Sequence, residues 1–479
     1  MRLEDLIPGA AGTPAASVDI TALAYDDRAA APGTRFFCVP GFTRDGHDFA
    51  SAAVERGASA LVVERPLGLG VPEIVVDDVR AAMAPAAAAL HGDPTAALDM
   101  VGITGTNGKT TTAYLVRSLL EAAGRRTGLL GTVQSVVGGQ ATPAVRTTPE
   151  AIDLQATFAA MRDGGDTACV MEVSSHALEL RRADAIHWDV AVFTNLTQDH
   201  LDFHPTMDAY FAAKRRLFTA GATTAVINVD DPYGRRLAAE LPDAVTYGID
   251  AEDAVLRARN VRFDLRGSSF RVGDTTFTLP LPGRFNVLNA LAAIGAVRAL
   301  GVSDEAVAAA LPGAARVPGR FEPVDEGQPF AVLVDYAHTP DSLENVLTAA
   351  RPLTAGRLIS VFGCGGDRDR GKRPQMGEIS ARLADHTIVT SDNPRSEDPA
   401  AIIAEILSGI GDRTEVEAIE DRHAAIETAV RAAGPGDIVV IAGKGHEQGQ
   451  EFAGGHKIPF DDATVAREAL RAITEPASS

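Results

Sequence analysis

The chain has 479 residues, 46% of them hydrophobic, and a formal charge of −20 from 44 Lys and Arg against 64 Asp and Glu. That apolar content excludes a disordered chain and leaves room for roughly three cores at ~150 residues each. The acidic balance argues against a general binder of nucleic acid or anionic membrane, so an anionic substrate needs a local basic pocket or bound cations.

The N-terminal MRLEDLIPGA lacks the basic and apolar regions of a secretory signal. Apolar runs such as AAMAPAAAAL are too short and too interrupted to span a bilayer. Cys38, Cys169 and Cys364 are far apart and form no C-x-x-C pair, which suits neither a zinc site nor a disulfide framework. A soluble cytoplasmic protein is expected.

Residues 70–105 read as strand, helix, turn and a fresh strand from Asp99, with His91-Gly92-Asp93-Pro94 as the first domain boundary. From Asp99 to about Leu300 the pattern alternates. DMVGIT, TACVMEV, WDVAVFTN and TTAVINVD read as buried parallel strands. Helix-period segments separate them, such as TTAYLVRSLLEAAG with Gly124 as its stop. Residues 261–281 alternate at period two around glycine turns, which predicts an antiparallel hairpin appended to the sheet. PGRFNVLNALAAIGAVRALG returns to helix, and a second boundary falls near VPGRFEPV, residues 317–324. Beyond it FAVLVDYAHTP, GRLISVFGCGG, HTIVTSDNP and DIVVIAGKGHE each read as a strand ending in a polar or glycine-rich loop. Ligands in open α/β sheets bind beyond such strand ends. The fold class expected is α/β in three domains: a small N-terminal α/β domain over 1–97, a central P-loop-type, mostly parallel sheet domain over 98–319, and a C-terminal Rossmann-like domain over 320–479.

Two loops carry specific chemistry. In GITGTNGKTTT, residues 102–112, glycines let backbone N–H groups turn toward an anion at a helix N-terminus. Lys109 adds a point charge, and Thr110 can offer its hydroxyl to Mg²⁺. Ile103 stands where the Walker pattern has its first glycine, so this is a variant form. In DNPR, residues 392–395, Pro394 fixes the backbone before Arg395, whose guanidinium matches a carboxylate bidentately. Asp392 and Asn393 can bond an ammonium, and Pro399 suits a first helical turn.

GTNGKT at 105–110 resembles the ATP loop of the Mur ligases, ATP-dependent amide-forming enzymes of peptidoglycan precursor synthesis. MEVSSHAL (171–178), FTNLTQDHLDFH (193–204), YFAAKRRLF (210–218), PGRFNVLNALAA, VDYAHTP, FGCGGDRDRGKRP, DNPR and AGKGHE follow in the family's order, so the resemblance covers nearly the whole chain. It is nearest to members that add the third residue of the stem peptide. It implies transfer of the ATP γ-phosphoryl group to a carboxylate, giving an acyl phosphate that an amine then attacks. Phosphoryl transfer of this kind is mostly positioning plus charge neutralisation.

The resemblance also implies roles for individual residues. ATP is held by Gly105, Thr106, Asn107, Gly108, Lys109, Thr110 and Thr111, by Asn286 and Asn289 near the adenine, and by Arg320, Asp335 and His338. It would bind between the second and third domains, with a closing motion that excludes water. Lys109, Glu172, His200 and a carbamylated Lys214 serve catalysis, and Mg²⁺ is taken by Thr110, Glu172 and His200. Asp27 (where the family usually has Ser), Phe42, Thr43, Arg44, Thr147, Thr148, Ser174 and Arg182 face UDP-N-acetylmuramoyl-L-alanyl-D-glutamate. Arg368, Asp392, Asn393, Pro394, Arg395, Gly443 and Glu447 face meso-diaminopimelate; lysine-adding relatives lack the arginine. No nucleic-acid partner and no membrane insertion are implied, and a monomer is expected. A lysine-adding enzyme and a non-catalytic nucleotide-binding regulator of the same fold stay open as alternatives.

Overall fold

The computed structural model describes residues 19–411 and 415–474. The N-terminal stretch read for a leader lies outside them. The chain divides into two compact units. One comprises the described residues up to Thr104 with Leu120–Val192 and Ala212–Ala225; the other comprises Gly105–Leu119, Phe193–Phe211 and the described residues from Val226 on.

In the first unit the strands Ala22–Ala24, Thr34–Phe37, Ala60–Val63 and Glu73–Val75 form a parallel sheet in chain order. Alternate residues point to opposite faces. Phe37, Val62 and Ile74 pack with Val79, Met83 and Ala87 of the helix Val79–Leu90. Phe36, Leu61 and Val63 pack with Ala50 and Ala53 on the other face. The two central strands, Thr34–Phe37 and Ala60–Val63, are buried on both faces. The helix is capped by Asp78, whose side chain accepts from the Ala81 N–H.

The same unit holds strands in the order Asp99–Thr104, Ala168–Glu172, Thr127–Leu130, Gln134–Val137 and Gln140–Pro143. The first three run parallel and the last two add an antiparallel hairpin. Gly102 lies under Trp188; a Cβ there would come within 2.8 Å of the indole.

The strands Thr224–Asn228, Val245–Gly248 and Leu256–Arg257 pair in parallel. The stretch 261–281 departs from the expectation. It belongs to a separate three-stranded antiparallel sheet, Arg259–Asp264, Gly267–Val272 and Thr275–Leu279, not to a hairpin appended to the larger one. The period-two pattern supplies one apolar face, with Phe270 and Phe277 stacked at 5.7 Å between centroids. A single apolar face suits cover by helices on one side, not insertion into a sheet buried on both.

The six-stranded sheet runs in the order Glu322–Val324, Ala331–Asp335, Ile438–Ala442, Leu358–Phe362, His386–Val389 and Glu415–Ala418. Only the first strand is antiparallel. Leu333, Phe362, Val389 and Val440 pack with Leu347, Met376 and Ile406 on one face. Val332, Val361 and Ile441 pack with Ile426, Val430 and Leu470 on the other. With both faces covered, the polar loops at the strand ends are where this sheet can do chemistry.

Arg422 and Asp462, both with side chains 0% exposed, make a bidentate pair at 2.7 Å. Arg422 also donates to the Ala442 carbonyl at 2.9 Å, tying two helices to the strand Ile438–Ala442. Breaking a buried pair strands its partner's charge. Asp462→Ala is expected to cost about 3–5 kcal/mol in urea unfolding, whereas removing the exposed Arg235–Asp253 pair changes the midpoint little.

Candidate functional site

The loop after the strand Asp99–Thr104 adopts backbone angles that its glycines permit. Gly105 has φ 149 and Gly108 φ 86. A Cβ at Gly105 would lie 1.8 Å from Thr194 Oγ1, and one at Gly108 would lie 2.4 Å from Asn289 Oδ1. Lys109 Nζ donates to the Gly105 and Thr106 carbonyls at 3.0 and 2.8 Å. Asn107 is fixed from several sides. Its N–H donates to Asn195 Oδ1 at 2.9 Å, and its carbonyl accepts from Thr194 Oγ1 at 2.6 Å. Its Nδ2 donates to Asp341 Oδ2 at 2.6 Å. Thr106 shares a hydroxyl hydrogen bond with Tyr210 at 3.2 Å. The helix Lys109–Ala122 then begins, so its N-terminal dipole adds to the ammonium.

A cavity of about 260 Å³ opens beside this loop. Asn107, Gly108, Thr111 and Asn289 line it with Arg320, Asp335, Asp341 and Asn345, and Phe285, Leu288 and Val346 give it an apolar wall. Arg320 donates from Nη2 to Thr110 Oγ1 at 3.4 Å and lies 4.4 Å over the Tyr336 ring. Asn286 stands behind the wall. Its Nδ2 donates to the Pro282 carbonyl at 2.8 Å, and its Oδ1 accepts from Asn289 at 3.2 Å. A cavity lined by the Arg320 guanidinium, the Asn107-Gly108 turn, amide side chains and an apolar wall suits a nucleotide.

Asp335 accepts from the Phe321 N–H at 2.7 Å. Burial pushes its carboxyl up to about 6 against the opposing pull of Arg320. Burial and the Lys372 ammonium hold His338 below its ordinary value. His338 Nδ1 lies 2.9 Å from the Tyr336 carbonyl, and its own carbonyl accepts from Lys372 Nζ at 2.8 Å. His200 has φ 53 and lies 3.4 Å from Asp199. Burial works against the Asp199 charge, but His200, His338 and Lys372 outweigh it and keep the carboxyl low.

A second constellation gathers at the ends of the six-stranded sheet. Arg395 has φ 51. Its Nε donates to Glu451 Oε2 at 3.2 Å and its Nη1 to the Gly366 carbonyl at 2.8 Å. Asp392, Asn393 and Pro394 are buried. Asn393 donates from Nδ2 to Glu447 at 2.8 Å and accepts at Oδ1 from Lys444 Nζ at 2.8 Å. Lys444 also reaches Glu447 at 3.0 Å and Asp392 at 3.7 Å. Asp392 and Asn393 therefore face an ammonium of the chain itself. Gly443 has φ 121, and a Cβ there would lie 2.5 Å from Asp392 Oδ2. Arg368 is exposed and donates to the Asp367 carbonyl at 2.8 Å.

The remaining candidates lie in the first unit. Glu172, 1% exposed, accepts from the Thr132 N–H and hydroxyl at 2.8 and 3.0 Å. Thr147 shares a hydrogen bond with the same Thr132 hydroxyl at 3.1 Å, and Thr148 donates to the Glu172 carbonyl at 2.9 Å. Ser174 caps the helix Ser175–Glu179. Arg182 pairs with Glu150 at 2.7 Å and donates to the Thr148 carbonyl at 3.3 Å. Lys214 is 1% exposed on the helix Met207–Thr219, whereas Arg215 is exposed. Asp27 pairs with Arg56 at 2.5 Å, which accounts for an acid at that position. Phe42 is 79% exposed, in a loop with Thr43 and Arg44, which are exposed too. Thr110 and Glu172 offer the hard oxygen donors a small divalent cation takes; His200 offers a nitrogen, a poorer match.

Residues 19–91, 103–297 and 319–445 match the Mur ligase family catalytic domain, the Mur ligase middle domain, and the Mur ligase glutamate ligase domain respectively. A UDP-N-acetylmuramoyl-L-alanyl-D-glutamate–2,6-diaminopimelate ligase of Geobacter metallireducens is 48% identical, over 99% of both chains. One of Streptomyces coelicolor is 50% identical, over 96% of this chain and 94% of its own. The chain belongs to the Mur ligase family. A solved structure of a ligase of the same name superimposes with a TM-score of 0.73 at 33% identity, covering 99% of this chain and all of that one. The MurF ligase of Thermotoga maritima in complex with ADP, 19% identical, covering 95% of this chain and 97% of that one, with a TM-score of 0.62, shares the fold.

Within this family framework, motif reading did not single out Asp341, Tyr336, Lys372, Lys444 or Glu451. Lys372 and Lys444 sit inside the motifs RGKRP and AGKGHE, each directly after a glycine, and that glycine-lysine step is the available signal. Asp341 and Glu451 carry no such mark.

The Asp335 carboxyl is raised from an ordinary value near 3.8 to about 6. The fold therefore favours its neutral form, and that contribution is full below pH ~3.8 and lost as pH rises through ~6. Asp335→Asn should keep this stability at higher pH. The melting-temperature difference between Asp335→Asn and the parent protein is expected to grow in the variant's favour between pH ~4 and ~6, and to stay flat above.

Proposed function

We propose that the chain is an ATP-dependent ligase joining meso-2,6-diaminopimelate to UDP-N-acetylmuramoyl-L-alanyl-D-glutamate in peptidoglycan precursor synthesis. The observation that carries this reading is Arg395 at the end of DNPR. Its guanidinium is held at two points, beside an anionic loop cluster, in a chain 48–50% identical to ligases of that name. Diaminopimelate differs from lysine by a distal carboxylate, and a fixed fork of N–H donors recognises that group.

Lys109 and the N-terminus of its helix neutralise the triphosphate, and Arg320, stacked on Tyr336, adds a second cation beside Thr110. The cavity walled by Phe285, Leu288 and Asn289 takes the adenine end. Thr110 and Glu172 carry oxygen donors suited to Mg²⁺, with His200 as a further candidate ligand. The ion, when bound, offsets charge on the phosphate oxygens. Lys214, buried in its helix, is the residue we assign to carbamylation, which would replace its ammonium with an anion able to orient a cation.

The γ-phosphoryl group passes to the carboxylate of the dipeptide. The diaminopimelate amine attacks the acyl phosphate, and phosphate leaves from the tetrahedral adduct. Asp27, Phe42, Thr43, Arg44, Thr147, Thr148, Ser174 and Arg182 are assigned to the nucleotide-sugar dipeptide. Domains over 1–97, 98–319 and 320–479, supported by family matches at 19–91, 103–297 and 319–445, would bind the sugar nucleotide, ATP and the amino acid in turn. Among the described residues no helix is long and apolar enough to cross a membrane, and we infer a cytoplasmic monomer.

Phosphate release with the muramoyl dipeptide and ATP tests the reading. Diaminopimelate should support turnover and lysine should not. Arg395→Ala is expected to lower kcat/KM for diaminopimelate about a hundredfold, the worth of a charge-assisted bidentate contact, with KM for ATP within about twofold. Equal turnover of both amines by the parent protein would remove Arg395 from amino-acid selection.

A further inference from the structure

Arg395 occupies the left-handed region, at φ 51, which a side chain with a Cβ disfavours. One short segment holds it there. The Arg395 N–H donates to the Glu451 carbonyl at 3.1 Å, and an isolated parallel bridge joins Arg395 to Phe452. The Glu451 N–H in turn donates to Asn393 Oδ1 at 2.9 Å. Glu451 closes the strand Gly449–Glu451, which pairs antiparallel with Lys457–Pro459. A small hairpin thus grips the DNPR loop through backbone and side chain together.

The side-chain geometry is the informative part. A guanidinium has two edges that can take a carboxylate bidentately: the side formed by Nε and Nη2, and the end formed by Nη1 and Nη2. Glu451 Oε2 sits on Nε at 3.2 Å, so the side edge already carries an anion. Nη1 gives one hydrogen to the Gly366 carbonyl at 2.8 Å and has a second to spare. Among the described residues no hydrogen bond falls on Nη2. A second carboxylate approaching the side edge would meet the charge of Glu451, whereas at the end edge it finds both nitrogens.

We propose that Glu451 is a positioning residue for amino-acid selection: by engaging Nε from behind, it presents the Nη1–Nη2 end of the Arg395 guanidinium to the distal carboxylate of the incoming amino acid. This rests on the reading of Arg395 as the group that selects diaminopimelate. Two features separate positioning from mere structure. The backbone bonds of Glu451 survive any side-chain change, so the hairpin and the left-handed turn persist when the carboxylate is removed. A glutamine keeps an acceptor oxygen for Nε while losing the charge.

Steady-state kinetics of the full chain with ATP, muramoyl dipeptide and diaminopimelate, for Glu451→Ala, Glu451→Gln and Arg395→Ala, test this. Glu451→Ala is expected to raise KM for diaminopimelate about tenfold, leaving kcat and KM for ATP within about twofold. Glu451→Gln should return KM to within about threefold of the parent value. If Arg395→Ala raises that KM and Glu451→Ala does not, the role given to Glu451 is wrong while the selection by Arg395 stands. An unchanged KM in both variants would overturn the underlying reading and this inference with it. Failure of Glu451→Gln as severe as that of Glu451→Ala would show that charge, not placement of Nε, is what Glu451 supplies, and would also overturn it.

Discussion

Lys444 has no exposed side-chain surface, yet its ammonium is satisfied by Asn393 at 2.8 Å and Glu447 at 3.0 Å, with Asp392 at 3.7 Å. A buried ammonium is tolerable only with such partners. The partners come from two loops far apart in sequence, the one after His386–Val389 and the one after Ile438–Ala442. One cation therefore fixes both loops relative to each other. Two carboxylates around one ammonium leave a negative charge in excess. Arg422 does not cancel it, because Asp462 already neutralises that guanidinium at 2.7 Å. The cluster thus favours a further positive group from outside.

The same logic of local compensation runs through the molecule. A net charge of −20 gives a field hostile to a triphosphate at long range. At short range Lys109, Arg320 and a helix N-terminus place positive charge at the phosphate loop. None of these cations needs a surplus of basic residues in the chain. They need placement, and placement comes from glycines whose missing Cβ atoms let Thr194 and Asn289 approach the loop.

What could be read from the sequence divides along the range of the interaction. Strands buried on both faces announce themselves as apolar runs, so Asp99–Thr104, Ala168–Glu172 and Ile438–Ala442 were legible. The phosphate loop was legible because its backbone demands glycine at fixed spacing. Partners across the chain were not. Asn107 and Asp341 are 234 positions apart, and nothing local to either marks the other. Asp27 stands where the family usually has Ser, and its partner Arg56 lies 29 positions away. Residues 261–281 lie in a sheet of their own, not an appended hairpin; alternation reveals strand and face but not which sheet a strand joins. The motifs around Lys444 and Lys372 were visible, but that each ammonium would turn inward onto Asn393 or the His338 carbonyl was not.

The left-handed backbone at position 395 carries a wider implication. Judged by main-chain preference alone, glycine or asparagine belongs there. An engineer sorting a mutant library for heat resistance would then tend to enrich those two residues at 395, and would discard the guanidinium along with the strain. On the proposed role of Arg395, tolerance to temperature and choice of amine pull against each other at a single codon, so any thermostabilised derivative of this enzyme is best selected with the amino acid present.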